Sequence, residues 1–371
     1  MSTHTAEAIV IGGGVMGLAS ARELARRGHT VTLLDRSQPG RAASWASAGI
    51  IGATSRAESD PGAGLRRLSS ALWPSFAEAV QADSGLDPEY RQTGCLHLAT
   101  NEAELETLRR VAQREGDGPN QAELLGSAQV RAVEPALGPR VIGGLSVSGG
   151  NVDNRRLCRA LEIGALRAGV RIEAGVEVQA VTAVDDCVTG VQTADRELRA
   201  ELVVLAAGAW SAQVRNVRPQ PPVAPQRGQL FALDQASVGI RHVLLTPGDP
   251  YFVPRCDGRL VVGATREEAG WDPSLTAGGV AWLLNRALAV VPALQNCPIV
   301  EMWTGFRPSS VDDLPLIGRG ALEGLYFLTG HGPSGIAPLP GSVALLMALI
   351  AGEDPPLSPH PFNPLRFARS R

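Results

Sequence analysis

Residues 8–11 (AIVI) form a short run with no polar alternation, the pattern of a parallel strand covered on both faces. Gly12, Gly14 and Gly17 follow as G-x-G-x-x-G. Val15–Arg27 then repeats its apolar positions with helical period and stops at Gly28, well placed as a C′ glycine. Thr30–Leu34 is a second apolar run, and Asp35 stands at its end. The pattern predicts strand, helix and strand in one parallel unit.

Further along, Leu65, Leu68, Leu72, Phe76 and Val80 keep helical spacing. Asn101 with Glu104 reads as a capping box, and Ser127–Val133 as a short helix stopping before Pro135. Asp153 caps a helix through Ala168 that Gly169 ends, and Val170–Ile172 returns as a strand of the main sheet. Val176–Val184 and Cys187–Thr193, joined at Asp185-Asp186, form a hairpin. Glu201–Leu205 is a buried strand that runs into Ala206-Ala207-Gly208. Ala42–Thr54 (AASWASAGIIGAT) is small, polar and glycine-containing, and reads as a loop lying against something flat rather than a packed helix. The proline-rich residues 217–233 open a second, mainly antiparallel domain. It includes YFVPRCDGRLVVGAT with an Asp257-Gly258 turn, and a helix Leu275–Val291 ended by Pro292. Leu325–Thr329, the loop GHGPSG and a helix from Leu339 to Ala351 close the chain.

The glycine spacing gives the first unit a chemistry. Gly12 permits a tight turn, Gly14 lets a pyrophosphate approach the backbone, and Gly17 lets helix and strand pack closely. The helix N-terminus then faces the phosphate charge. Asp35 is placed to accept from ribose hydroxyls. The motif alone leaves FAD and NAD both open. A hairpin-rich crossover in place of a further helix suits FAD-binding folds in which a β-meander joins two parts of the sheet. The expected fold is therefore α/β: an FAD-binding Rossmann-like domain with a β-meander crossover, plus an α+β substrate domain with a mainly antiparallel sheet. The boundaries expected are 1–85, 140–215 and 300–371 for the first domain, and 86–139 and 216–299 for the second.

The 371 residues are 44% hydrophobic and 19% charged, enough to bury a core. With a net charge of −3 and no basic block, nothing marks a nucleic-acid partner. All 34 basic residues are arginine, so a Schiff-base or P-loop lysine is excluded. Cys95, Cys158, Cys187, Cys256 and Cys297 are scattered and odd in number, as free thiols in a reducing compartment would be. No HxxxH or HxH spacing points to a metal. Met1–Thr5 has no signal-peptide basic region, and no apolar stretch reaches the roughly 18 residues of a membrane span. A soluble cytoplasmic protein is the expectation. One charge stands out: WTGFRPSSVDDLPLIG sets Arg307 among Trp303, Phe306, Leu314 and Ile317. A cation in apolar surroundings calls for an anion, and either an internal salt bridge to Asp312 or Asp313 or a bound anionic ligand would supply it.

Taken in order, VIGGGVMGLASARELARRGHTVTLLD, SWASAGIIG, VDNRRL, VVLAAGAWS, RGQ, YFVPRCDGRLVVGAT, GFRPSSVDDLPLIG and the Gly330-His331 loop resemble the FAD-dependent amine oxidoreductases of the D-amino acid oxidase superfamily, the glycine oxidase branch most closely. The resemblance covers nearly the whole chain. It implies FAD with its pyrophosphate on Gly12, Gly14 and Gly17, its ribose on Asp35, and Val15, Met16, Arg36 and Ser44 close by. Ala46, Ser47, Ala48 and Gly49 would lie beside the isoalloxazine, Val176 beside the adenine, and Ala207 and Gly208 in a turn against the cofactor. Gly332, Pro333, Ser334, Gly335 and Ile336 would bring backbone N–H groups to the flavin pyrimidine edge, where reduction places negative charge. Arg307 would bind a substrate carboxylate and Tyr251 would cover the pocket. The implied reaction is hydride transfer from the Cα of glycine, sarcosine or a D-amino acid, giving an imine and then a 2-oxo acid and ammonia. O2, with H2O2 formed, or another acceptor would reoxidise the flavin, and the protein would work alone or as a homo-oligomer. Two departures matter. Gly332-Pro333-Ser334-Gly335 stands where that branch carries an aromatic-Arg-Asn-Gly run, so a second pocket arginine is missing there. The lysine that sarcosine oxidases place near the flavin is absent as well. Other readings are an NAD-dependent dehydrogenase with Arg307 on a hydroxy acid, and a flavoprotein that keeps FAD for stability alone.

Overall fold

The computed structural model describes residues 6–52, 60–115, 122–248 and 250–368. The reading of Met1–Thr5, and the Thr54 end of the loop expected from Ala42, lie outside them. Two sheets organise the chain. The first runs Leu316–Arg319, Leu325–Thr329, Leu202–Leu205, Ala8–Ile11, Val31–Asp35, Arg171–Ala174. Its neighbours are parallel except for the first pair. Ala8–Ile11 lies in the middle and is buried along its length. Its alternate side chains serve different cores. Ala8 and Val10 meet Leu33, Val204 and helices Val15–Arg26, Asn154–Arg167 and Leu339–Ala351. Ile9 and Ile11 meet Leu34, Val203, Leu205 and the apolar face of a three-stranded meander. Burial on both faces is why the run shows no polar alternation.

The meander is Ala180–Val184, Cys187–Gln192 and Glu197–Arg199, all antiparallel. Asp185 and Asp186 turn at φ 49° and 60°, the left-handed values of a tight hairpin turn. The first strand begins at Ala180 and not at Val176. Gly175 sits at φ +75°, and Val176 N–H donates to Asp35 O (2.8 Å), which holds the segment against the main sheet.

The second sheet has eight strands: Ile299–Ser310, Val223–Asp234, Arg259–Gly263, Tyr251–Pro254, Val243–Leu245, Cys95–Ala99, Gly143–Val147, Glu123–Gly126. All pairs are antiparallel except Val243–Leu245 with Cys95–Ala99. Helix Ala277–Val290 covers one face, with Thr276 as its cap. Gly143–Val147 and Ile299–Ser310 belong to this sheet, so the chain crosses between the two sheets later than the 140 and 300 expected from sequence.

The expected helices form, with local corrections. Asp153 caps Asn154–Arg167 through Arg155 N–H and Arg156 N–H, both 2.9 Å from Oδ1. Asn101 Oδ1 accepts from Glu104 N–H (3.0 Å), whereas the Glu104 carboxylate reaches back to Thr100 N–H (2.8 Å), one residue beyond a capping box. In Ala63–Ser84, Leu65 and Val80 are buried but Leu68, Leu72 and Phe76 only partly so. The deepest positions are Ser69 and Trp73, since this helix meets Leu339–Ala351 so closely that a Cβ on Gly341 would lie 2.5 Å from Ser69 Oγ. Residues Ala43–Ala46 form one helical turn where a loop was expected.

Candidate active site

A cavity of about 1840 Å³ runs between the two sheets, from the glycine turn at one end to Arg307 at the other. Every site residue expected from the sequence lines it except Gly17, which lies behind the turn. Gly17 is there for packing: a Cβ on it would lie 1.8 Å from Gly12 O. Gly12, at φ +103°, has no more room, since a Cβ on it would lie 2.5 Å from Ala206 O. Gly208 and Gly332 also have positive φ, yet a Cβ on either meets nothing within 4 Å. The cradle is thus tight toward the protein and open toward the cavity, as a backbone that receives a pyrophosphate must be.

Asp35 does more than await a ribose. Its Oδ2 accepts from Gly13 N–H (2.6 Å), and its Oδ1 from Ser37 N–H (2.7 Å) and Ser37 Oγ–H (3.1 Å). The carboxylate therefore fixes the glycine turn to the second strand. A carboxylate has about four acceptor sites, so capacity for a further hydroxyl remains.

Residues 44–49 are held by their carbonyl oxygens. The Asn154 amide donates to Ser44 O (2.9 Å) and Trp45 O (2.7 Å). Trp303 Nε1–H donates to Ala46 O (3.0 Å), and Arg255 Nη2–H to Ala48 O (2.9 Å). Arg255 is 7% exposed and also donates to Asn151 Oδ1, Val152 O and Asn154 Oδ1. Burial lowers its guanidinium pKa. In a trans peptide the next N–H points opposite to the carbonyl, so these donors turn the N–H groups of Ser47 and Gly49 the other way. Both residues line the cavity. None of the donors was singled out from the sequence, although Arg255 lies inside YFVPRCDGRLVVGAT and Asn154 inside VDNRRL.

The loop after Leu325–Thr329 is fixed from behind. Trp73 Nε1–H donates to Ala337 O (2.9 Å), and Thr329 Oγ1 bonds Ser211 Oγ (2.7 Å). His331 is buried with Nε2 3.2 Å from Ser342 Oγ, and burial drops its pKa to about 3, leaving a neutral imidazole.

Arg307 and Tyr251 occupy the far end, on neighbouring parts of the second sheet. Two glycines make room for them. A Cβ on Gly228 would meet the Arg307 guanidinium at 2.6 Å, and one on Gly263 would meet Tyr251 OH at 2.7 Å. Arg307 Nη1–H donates to Thr265 O (3.0 Å) and Arg227 O (3.3 Å), which anchors one nitrogen on the protein. The salt bridge considered for it does not form: Asp312 is taken by Arg366 (2.8 Å), and Asp313 is exposed. Among the described residues Arg307 has no ion-pair partner. Burial lowers its pKa, an effect the Tyr251 phenol opposes, and burial raises that of Tyr251. The tyrosine therefore stays protonated as a donor.

The RGQ segment gains its reason here. Arg227, 5% exposed, donates to Glu267 Oε2 (2.5 Å from Nη2) and Asp272 Oδ2 (2.7 Å). Gln229 bonds Glu267 (2.7 Å) and Thr276 (2.9 Å). Together they hold the loop that follows Arg259–Gly263, and with it the Thr265 carbonyl that Arg307 uses.

A parallel sheet with a glycine-rich first turn, facing an antiparallel sheet that carries an unpaired arginine and a protonated phenol, is the architecture of a two-sheet dinucleotide-dependent oxidoreductase. The model of the family described as FAD dependent oxidoreductase matches residues 7–349, and the chain belongs to that family. The cofactor is thus FAD, and the NAD reading left open by the glycine turn falls away. The chain is 34% identical to glycine oxidase of Pseudomonas putida over 363 residues, covering 96% of this chain and 98% of that one. It is 35% identical to the bifunctional protein ThiO/ThiG of Synechocystis sp. over 375 residues, covering 98% of this chain but only 54% of that protein. The solved glycine oxidase of Geobacillus kaustophilus superposes with a TM-score of 0.92 at 30% identity, covering all of both chains.

Proposed function

We propose that the protein oxidises a small amino acid or amine of the glycine, sarcosine or D-amino acid class. The observation that carries this reading is Arg307: a buried guanidinium with one nitrogen anchored on two carbonyls and no ion pair among the described residues. A planar fork so held meets a carboxylate bidentately and fixes its orientation. Tyr251, kept neutral by burial, donates a hydrogen bond to the same carboxylate or accepts one from the amine. The positive charge of Arg307 beside the bound amine also favours the amine's neutral form, the form from which Cα–H leaves as hydride. No side chain need take a proton from Cα when the hydrogen leaves as hydride.

FAD, when bound, would supply the two-electron acceptor for that hydride, with O2 taking the electrons onward as H2O2. The glycine turn, Asp35 and residues 44–49 would hold it at one end of the cavity, with the Arg307–Tyr251 pair at the other to bind the substrate. Water then hydrolyses the released imine to a 2-oxo acid and ammonia where the nitrogen is unsubstituted, or the corresponding amine where it carries an alkyl group. The family's cofactor, the resemblance to glycine oxidases and the unpaired arginine support this order of events. The test is a panel of glycine, sarcosine, proline and D-amino acids with the FAD-loaded protein, followed by flavin absorbance without air and H2O2 with air. At least one amine should bleach the flavin and yield H2O2 in step with the amine consumed. If nothing bleaches it, the enzymatic reading is wrong. Bleaching without O2 consumption would assign a different acceptor.

A further inference from the structure

The cavity holds a second cation at the Arg307 end. Arg266 directly follows Thr265, whose carbonyl anchors Arg307 (3.0 Å), and it lines the same cavity as Arg307 and Tyr251. Burial dominates the behaviour of both those groups, and the charge of Arg266 acts on each in addition, so it lies within electrostatic reach of them. The acids near it in sequence make contacts with other residues. Glu267 accepts from Arg227, Gln229 and Thr265, Asp272 accepts from Arg227, and Glu268 accepts from Gln226 (2.8 Å). Arg266 forms no ion pair among the described residues. Two unpaired guanidinium groups therefore face one site, and a simple amino acid brings only one carboxylate.

We propose that the substrate carries a second anionic group and that Arg266 binds it, which rests on the amino-acid reading of the site and narrows its substrate class. Arg266 is exposed at the rim while Arg307 is buried. The α-carboxylate therefore goes to Arg307 and the second anion to the side nearer solvent, on the amine or side-chain end of the molecule. An amine bearing two carboxylates, or a carboxylate and a phosphonate, has that layout. The arginine missing from the loop at Pro333-Ser334 is thus matched by one delivered from the loop after Arg259–Gly263.

The test pairs molecules that differ only in the second anion. Iminodiacetate and sarcosine are compared as substrates, and oxydiacetate and methoxyacetate as their non-oxidisable counterparts, the latter titrated by the flavin spectrum. Losing a charge-assisted contact to a ligand costs about tenfold or more in affinity. The wild-type enzyme should prefer the diacid in both kcat/KM and Kd. Arg266→Gln should reduce both preference ratios about tenfold or more, and Arg266→Glu should invert them. Wild-type ratios at or below one, or ratios unchanged in Arg266→Gln, overturn the proposal while leaving the amino-acid reading standing. If no amine reduces the flavin and neither ether perturbs it, the amino-acid reading itself falls and takes this inference with it.

Discussion

Replacing Arg307 by methionine removes the cation while keeping most of the side chain's length. The folded protein loses two hydrogen bonds, to Thr265 O and Arg227 O, each worth about 1 kcal/mol. It also sheds a buried charge that forms no direct ion pair among the described residues, which offsets that loss. The melting temperature should therefore stay within a few degrees. Bound FAD should also be unchanged, since the glycine turn lies at the other end of the cavity. Substrate binding is where the loss appears. Leaving a desolvated carboxylate without its cation costs roughly 2–5 kcal/mol, or about thirty- to several-thousandfold in affinity. The assay is KM from O2 uptake, with flavin content and a thermal melt on the same sample. Arg307→Lys should recover only part of the loss, because one ammonium cannot hold both backbone carbonyls and a carboxylate. An Arg307→Met enzyme that turns over its amine with unchanged KM and normal flavin content would refute the reasoning and return Arg307 to a structural role.

Gly14→Val should lose FAD before it loses fold, read as flavin content per protein, because the added side chain projects at the cradle where only Ser44 Oγ stands, 3.2 Å away. Arg255→Met should lower stability by roughly 2–4 kcal/mol, since Ala48 O, Val152 O, Asn151 and Asn154 all lose a donor, and denaturant midpoints check this. His331 makes stability depend on pH. Its folded pKa of about 3 lies below the ordinary 6.5, so the unfolded chain binds more protons between those values. Its contribution is present above about pH 6.5 and is lost as pH falls toward 3, by at most about 1.4 kcal/mol per pH unit. His331→Gln should flatten that slope in urea titrations run at several pH values.

Local signals carried much of this to the surface of the sequence. The glycine turn, the strand before it, the cap at Asp153, and the Asp185-Asp186 turn all depend on neighbours within a few residues. Arg307 was legible because a charge among apolar residues is anomalous wherever it lies. What stayed hidden depends on distant partners. The helical turn Ala43–Ala46 and the fixed carbonyls of residues 44–49 rely on Asn154, Arg255 and Trp303, more than 100 residues further along the chain. The Arg227–Glu267 pair bridges 40 residues in the same way. Sheet membership is equally non-local: nothing in Gly143–Val147 announces that it pairs with Cys95–Ala99. Arg266 was missed for a different reason. A single arginine among 34 gives no local anomaly, and only its place beside Thr265 and the contacts that the acids near it in sequence make with other residues mark it out.

The claim on which the rest depends is that Arg307 positions an amino acid by its carboxylate so that Cα–H is the bond broken. Rapid mixing of the FAD-loaded protein without air tests it, using an amine that reduces the flavin and the same amine lacking its carboxylate, such as glycine against methylamine. The expected result is reduction by the carboxylate-bearing amine, slowed at least about a hundredfold when the carboxylate is absent, with that preference gone in Arg307→Met. Equal reduction by both amines, or a preference that survives in Arg307→Met, would contradict it.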